Sequence, residues 1–81
     1  MFERIYSPAI DTMNAMNAIA DPDCTRDVMA GFYEDLIHCS HIHGTRSIDW
    51  KKINEAIVKR WPKGLEYIKT KAWKRVESRR T

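Results

Sequence analysis

Residues 48–76 read IDWKKINEAIVKRWPKGLEYIKTKAWKRV, and this stretch decides the fold. Trp50, Ile53, Ile57 and Trp61 recur at three- and four-residue intervals. That is the period that lines one face of an α-helix. Lys52, Glu55 and Lys59 fall on the other side, with Glu55 four residues ahead of Lys59 in the stabilising order. Ser47 is the expected N-cap, and Asp49 suits the positive end of the helix dipole. Pro62 ends the helix, because proline removes a backbone donor and its ring clashes with the preceding turn. After Pro62-Lys63-Gly64 the helical period resumes, with Leu65, Ile68, Ala72 and Val76 as its inner face. Tyr67, Thr70, Lys71 and Lys74 then point outward, with Trp73 on the border. Two helices joined by a three-residue turn containing glycine have the connection length of a helix-turn-helix.

Working toward the N-terminus, two more helices are expected. Ser7 caps the first and Pro8 occupies its first turn, where no backbone donor is lost, so it runs from about Pro8 to Ala20. Ala9, Met13, Met16 and Ala20 form its apolar stripe. Asp21-Pro22-Asp23 breaks the chain. The second helix is expected from Pro22 or Cys24 to Ile42, with Gly44 ending it. Val28, Met29, Phe32, Leu36 and Cys39 share its inner side, Arg26, Asp27, Glu34 and His38 lie away from it, and Ile37 is opposite. Gly31 within this helix costs about 1 kcal/mol relative to alanine, which suits a close helix approach or a bend. Residues 78–81 read as a frayed basic tail, and residues 2–6 as a short turn or strand-like arm. The expected class is therefore all-α. It is one small four-helix domain over residues 1–81, ending in a helix-turn-helix-like hairpin.

The 81-residue length matches one domain, and the 43% hydrophobic content suffices for one core. No apolar run approaches the ~18 residues that span a bilayer, and no signal-peptide pattern opens the chain, so the expected compartment is the cytoplasm, or the nucleus in a eukaryote. Cys24 and Cys39 read as free buried thiols. On one continuous helix they would stand about 22 Å apart, whereas a disulfide needs Cα atoms within about 7 Å.

Charge is sharply divided along the chain. Residues 1–46 hold three arginines against seven carboxylates, a net of −4. Residues 47–81 hold eleven Lys and Arg against four carboxylates, a net of +7. A basic half of this kind attracts a polyanion, and nucleic acid is the commonest one. The outer face of the fourth helix offers Tyr67, Thr70, Lys71 and Lys74 to phosphates and base edges. Lys51, Lys52, Lys59, Arg60, Lys63, Arg79 and Arg80 are placed to flank it with phosphate contacts.

Other constellations carry less. His38-Cys39-Ser40-His41-Ile42-His43 has zinc-ligand chemistry, but one helix aims these side chains in divergent directions, so no metal is expected. The histidines suit a helix C-terminus instead. There is no phosphate-binding glycine loop, no nucleophile elbow and no His-Glu-x-x-His run, so neither an enzyme nor a cofactor is expected. Trp50 and Trp61 are read as core. The segment from Ile48 to Ile53, with Trp61 and Trp73 beyond, has a slight likeness to a Myb-type repeat. Its tryptophan spacings of 11 and 12 are shorter than that family's, and the likeness is confined to the last two helices, so no family is assigned.

The resulting expectation is a small nucleic-acid-binding protein, a regulator or accessory factor, with DNA favoured over RNA and no membrane partner. The alternative is a protein-interaction adaptor or inhibitor acting through charge complementarity, including inhibition of a nucleic-acid enzyme. Met13, Met16 and Ile37 are the residues that suit a protein partner or a homodimer.

Overall fold

The computed structural model describes residues 5–79. It contains four α-helices: α1 (Pro8–Ala20), α2 (Arg26–His43), α3 (Trp50–Arg60) and α4 (Leu65–Ser78), with a short 3-10 turn at Thr45–Ser47. No strand occurs among the described residues. The Ser7 side chain accepts from the Ile10 amide, as the Ser-Pro start requires. Thr25 caps α2 by accepting from Val28 at 3.1 Å, which leaves Pro22 and Cys24 in the preceding loop. Asp49 caps α3 by accepting from the Lys52 amide. Ser47, the expected cap, instead donates to the Gly44 carbonyl at 2.6 Å and closes the 3-10 turn. An ionised carboxylate suits the helix dipole better than a hydroxyl does. Gly44 ends α2 at φ 98°, a left-handed conformation that glycine adopts without steric cost.

The long helix α2 is central. It packs against α1 on one side and α4 on another, while α3 leans mainly on α1. Although α3 and α4 follow each other across a short turn, each finds its main packing partner elsewhere. Covering α2 from two sides buries more than half of its circumference. Met29, Ala30, Tyr33, Leu36, Ile37 and Cys39 are all enclosed. Ile37, expected opposite the apolar side, is only 1% exposed and is unavailable to a partner. Glu34, expected outside, is 4% exposed, whereas Val28, expected inside, is 51% exposed.

Helix α1 is rotated from its expected phase. Ala15, Ala18 and Ile19 face the core together with Asp11, and Met13 is 54% exposed. Small side chains at 15 and 18 let α1 lie close to two neighbours, which a methionine stripe would not permit. Ile53 and Ile57 of α3 and Ile68, Ala72 and Val76 of α4 are buried as expected. Trp50 and Trp61, by contrast, are only partly buried at the edge of the core. Only the middle of the short helix α3 is enclosed. Cys24 and Cys39 are both buried, and neither forms a disulfide among the described residues. Among the described residues, no helix is long and apolar enough to cross a membrane.

Candidate functional site

The fold uses part of the basic half for its own cohesion. The Arg60 guanidinium donates to four carbonyls at the end of α1 and in the loop beyond: Ile19 and Asp21 at 2.7 Å, Pro22 at 3.1 Å and Cys24 at 3.2 Å. It also lies 4.8 Å from the centre of the Trp61 ring. Its planar fork thus serves the open C-terminus of α1. Tyr67 and Lys71 of α4 both donate to Asp27 of α2, each at 2.5 Å. These hydrogen bonds hold the Asp27 carboxyl below its ordinary value and raise the Lys71 ammonium above its own. Arg26 stacks over Tyr67 at 4.9 Å from the ring centre. Near the end of α4, Arg79 reaches the buried Glu34 carboxylate at 3.2 Å, and His38 meets the same oxygen at 3.1 Å. Arg80 lies outside the described residues.

The remaining expected contacts are open to solvent. Lys51, Lys52, Lys59, Lys63 and Lys74 are exposed and carry no ion pair among the described residues, and Thr70 is exposed beside Lys74. Tyr67, Thr70, Lys71 and Lys74 do line one open depression, together with the Glu66 carboxylate. The first three helical turns of α4 are therefore divided. One flank, with Tyr67 and Lys71, turns to α2 near Asp27. The other flank carries Lys69 and Trp73, one turn apart.

That second flank borders an open pocket of about 310 Å3 lined by residues of α2, α3, α4 and the 3-10 turn. Tyr33, Trp50 and Trp73 supply three aromatic walls from three helices, and His41, Asn54 and Lys69 supply polar groups. The rings meet in tilted pairs, Tyr33–Trp50 with centroids 5.4 Å apart and His41–Trp73 at 6.0 Å. Such edge-inclined geometry is the favourable arrangement of aromatic quadrupoles. The Trp50 indole N–H donates to the Thr45 carbonyl and fixes that ring. The Tyr33 hydroxyl donates to Asn54 Oδ1 at 2.9 Å. Burial pushes the Tyr33 phenol up to about 12, so it remains a neutral donor. The sequence reading missed this cavity. Its residues are spread from 33 to 73, and only the α2–α4 packing gathers them. The one local signal was Trp73 on the border of the apolar stripe of α4.

The histidine cluster divides differently from its helical spacing, with His38 and His43 both beside Tyr6 and His41 turned to Trp73. His38 faces Glu34, His43 meets the Tyr6 carbonyl at 2.7 Å, and His41 faces Trp73. Cys39 is fully buried. Comparison of the chain with protein families, with curated proteins and with solved structures finds no match.

Proposed function

We propose that this chain is a small nucleic-acid-binding module that holds phosphates with α3, the turn after it and the open side of α4. One observation supports this reading above the others. After the fold has paired Arg60, Lys71 and Arg79 internally, Lys51, Lys52, Lys59, Lys63, Lys69 and Lys74 remain without an acidic partner among the described residues. All six belong to one continuous third of the chain. Lysine acts here as a point charge, and binding releases counterions condensed on the polyanion.

If about four phosphates are neutralised, log affinity falls against log salt with a slope near −3 to −4. Lys52 and Lys59 stand two helical turns apart on one side of α3. Lys52→Ala with Lys59→Ala should weaken binding and reduce the slope by about one to two units. Fluorescence anisotropy over a salt series measures both quantities. Binding that ignores salt, or a double variant indistinguishable from its parent, would remove the proposal.

A second reading, a protein-binding module, is favoured by Ile10 and Met13. They are more than half exposed and sit one turn apart on α1. It predicts a partner captured through α1, and no salt-sensitive affinity for nucleic acid.

A further inference from the structure

We infer that the cavity between α2, α3 and α4 receives one unstacked base of a single-stranded nucleic acid, with Lys69 on the adjoining phosphate. This inference rests on the nucleic-acid reading above and goes beyond it by naming the strand state and the pocket.

The chemistry of the walls selects the ligand. Trp50 and Trp73 offer flat apolar surfaces, which suit a planar ring, while the buried Tyr33 forms the floor. At about 310 Å3 the cavity is at the lower end of small-ligand sites and has room for a single heteroaromatic base. Two of the polar groups lining it, Asn54 and Lys69, are available as donors. Asn54 accepts from Tyr33 through Oδ1, which leaves its amino group to donate. Lys69 has no acidic partner among the described residues. No carboxylate lines this pocket, whereas the depression beside Lys74 includes Glu66 and the one beside Lys59 includes Glu55. Aromatic walls with a cation and an amide donor, and no carboxylate in the lining, match a base that carries acceptor atoms and is joined to a phosphate.

The wall is also accessible. Trp73 is 40% exposed and Trp50 is only partly buried, so both can offer ring surface without unfolding the core. A base paired within a duplex presents no free face. Stacking in the cavity therefore requires a single strand or a strand end.

The test compares three probes of equal length: an oligo-dT strand, its duplex with oligo-dA, and an abasic deoxyribose-phosphate strand. The abasic strand retains the phosphates and lacks every base. The expected result is quenching of tryptophan fluorescence by oligo-dT and tighter binding to it than to the abasic strand. Trp73→Ala should lower oligo-dT affinity by about 5- to 150-fold, the range measured for losing one stacked base. It should leave abasic-strand and duplex affinity unchanged. Trp73→Phe should recover most of the loss. Lys69→Gln should reduce the single-strand salt slope by about 0.7. If Trp73→Ala lowers the melting temperature, Trp73→Phe, Lys69→Gln and the quenching decide the matter.

Equal affinity of the parent for oligo-dT and the abasic strand, unchanged by Trp73→Ala, would overturn the base pocket while leaving the lysine surface standing. Absence of salt-sensitive binding to all three probes would overturn the nucleic-acid reading and the pocket together.

Discussion

Arg60 shows how one residue can answer two readings differently. In the sequence it is one more cation beside a basic turn. In the fold its guanidinium joins α3 to the open carbonyls at the end of α1 and in the loop beyond. A lysine retains the charge but cannot span four acceptors from one planar group. Arg60→Lys should lose at least two of these hydrogen bonds and lower stability by about 1–3 kcal/mol. Urea denaturation measures this. Because the group is already engaged by the fold, the same variant should leave the salt slope of nucleic-acid binding unchanged. A stable Arg60→Lys protein with a reduced slope would return Arg60 to the phosphate-binding set. No property of residues 59–61 signals this role, since its four acceptors lie about forty positions earlier in the chain.

At the scale of elements, the two glycines nearest the α2–α4 packing differ in kind. Gly31 lies inside α2, which runs unbroken through it. A Cβ there would meet only the Arg75 guanidinium at 3.6 Å, an ordinary contact. Gly31→Ala should therefore stabilise the protein by up to about 1 kcal/mol, the helix-interior difference between the two residues. Gly64 precedes α4 and is buried. A Cβ there would stand 2.7 Å from Trp61 Cβ and 3.2 Å from Arg26 Cδ. Gly64→Ala should cost about 1–3 kcal/mol, as overpacking does. Thermal melts of the two variants should move in opposite directions. The ends marked by Pro8, Pro62 and Gly44 were legible because these residues act within one turn of themselves, whereas the starts of α2 and α3 were placed a few residues early. Helix faces were legible for α3 and α4, each with one narrow apolar stripe, although the tryptophans at the two ends of the α3 stripe are only partly buried. They were misread in α1, whose stripe is thin, and in α2, which is covered from two sides.

At the scale of the whole molecule, the division of charge has a structural use as well as a proposed functional one. The acidic helix α2 lies against the basic helix α4, and Asp27 meets Tyr67 and Lys71 across that interface. The Asp27 carboxyl titrates below its ordinary 3.8, so its contribution is present above that value and is lost as pH falls through the folded one. The Lys71 ammonium titrates above its ordinary 10.5, so its contribution is present below that value and is lost as pH rises through the folded one. The link is therefore fully formed between those limits, and salt screens it because both groups are exposed. Asp27→Asn should lower the melting temperature slightly at neutral pH, and the difference from the parent should vanish in acid. The same change removes the charge that attracts Lys71 while leaving an amide oxygen as acceptor. It should raise nucleic-acid affinity if the basic face acts as proposed, and lower it if Asp27 instead orders that face.

The all-α class, the four helices and the inner faces of the last two follow from local chemistry, because caps, proline breaks and the 3.6-residue period act over a few neighbouring residues. Which cations remain free is a tertiary property. Lys71, Arg79 and Arg60 are engaged by groups between 36 and 45 positions away, and only the packing of α2 on α4 and α3 on α1 brings those groups within reach. The aromatic cavity is tertiary for the same reason. Tyr33, Trp50 and Trp73 belong to three helices, and no periodicity within one helix encodes a space shared by three.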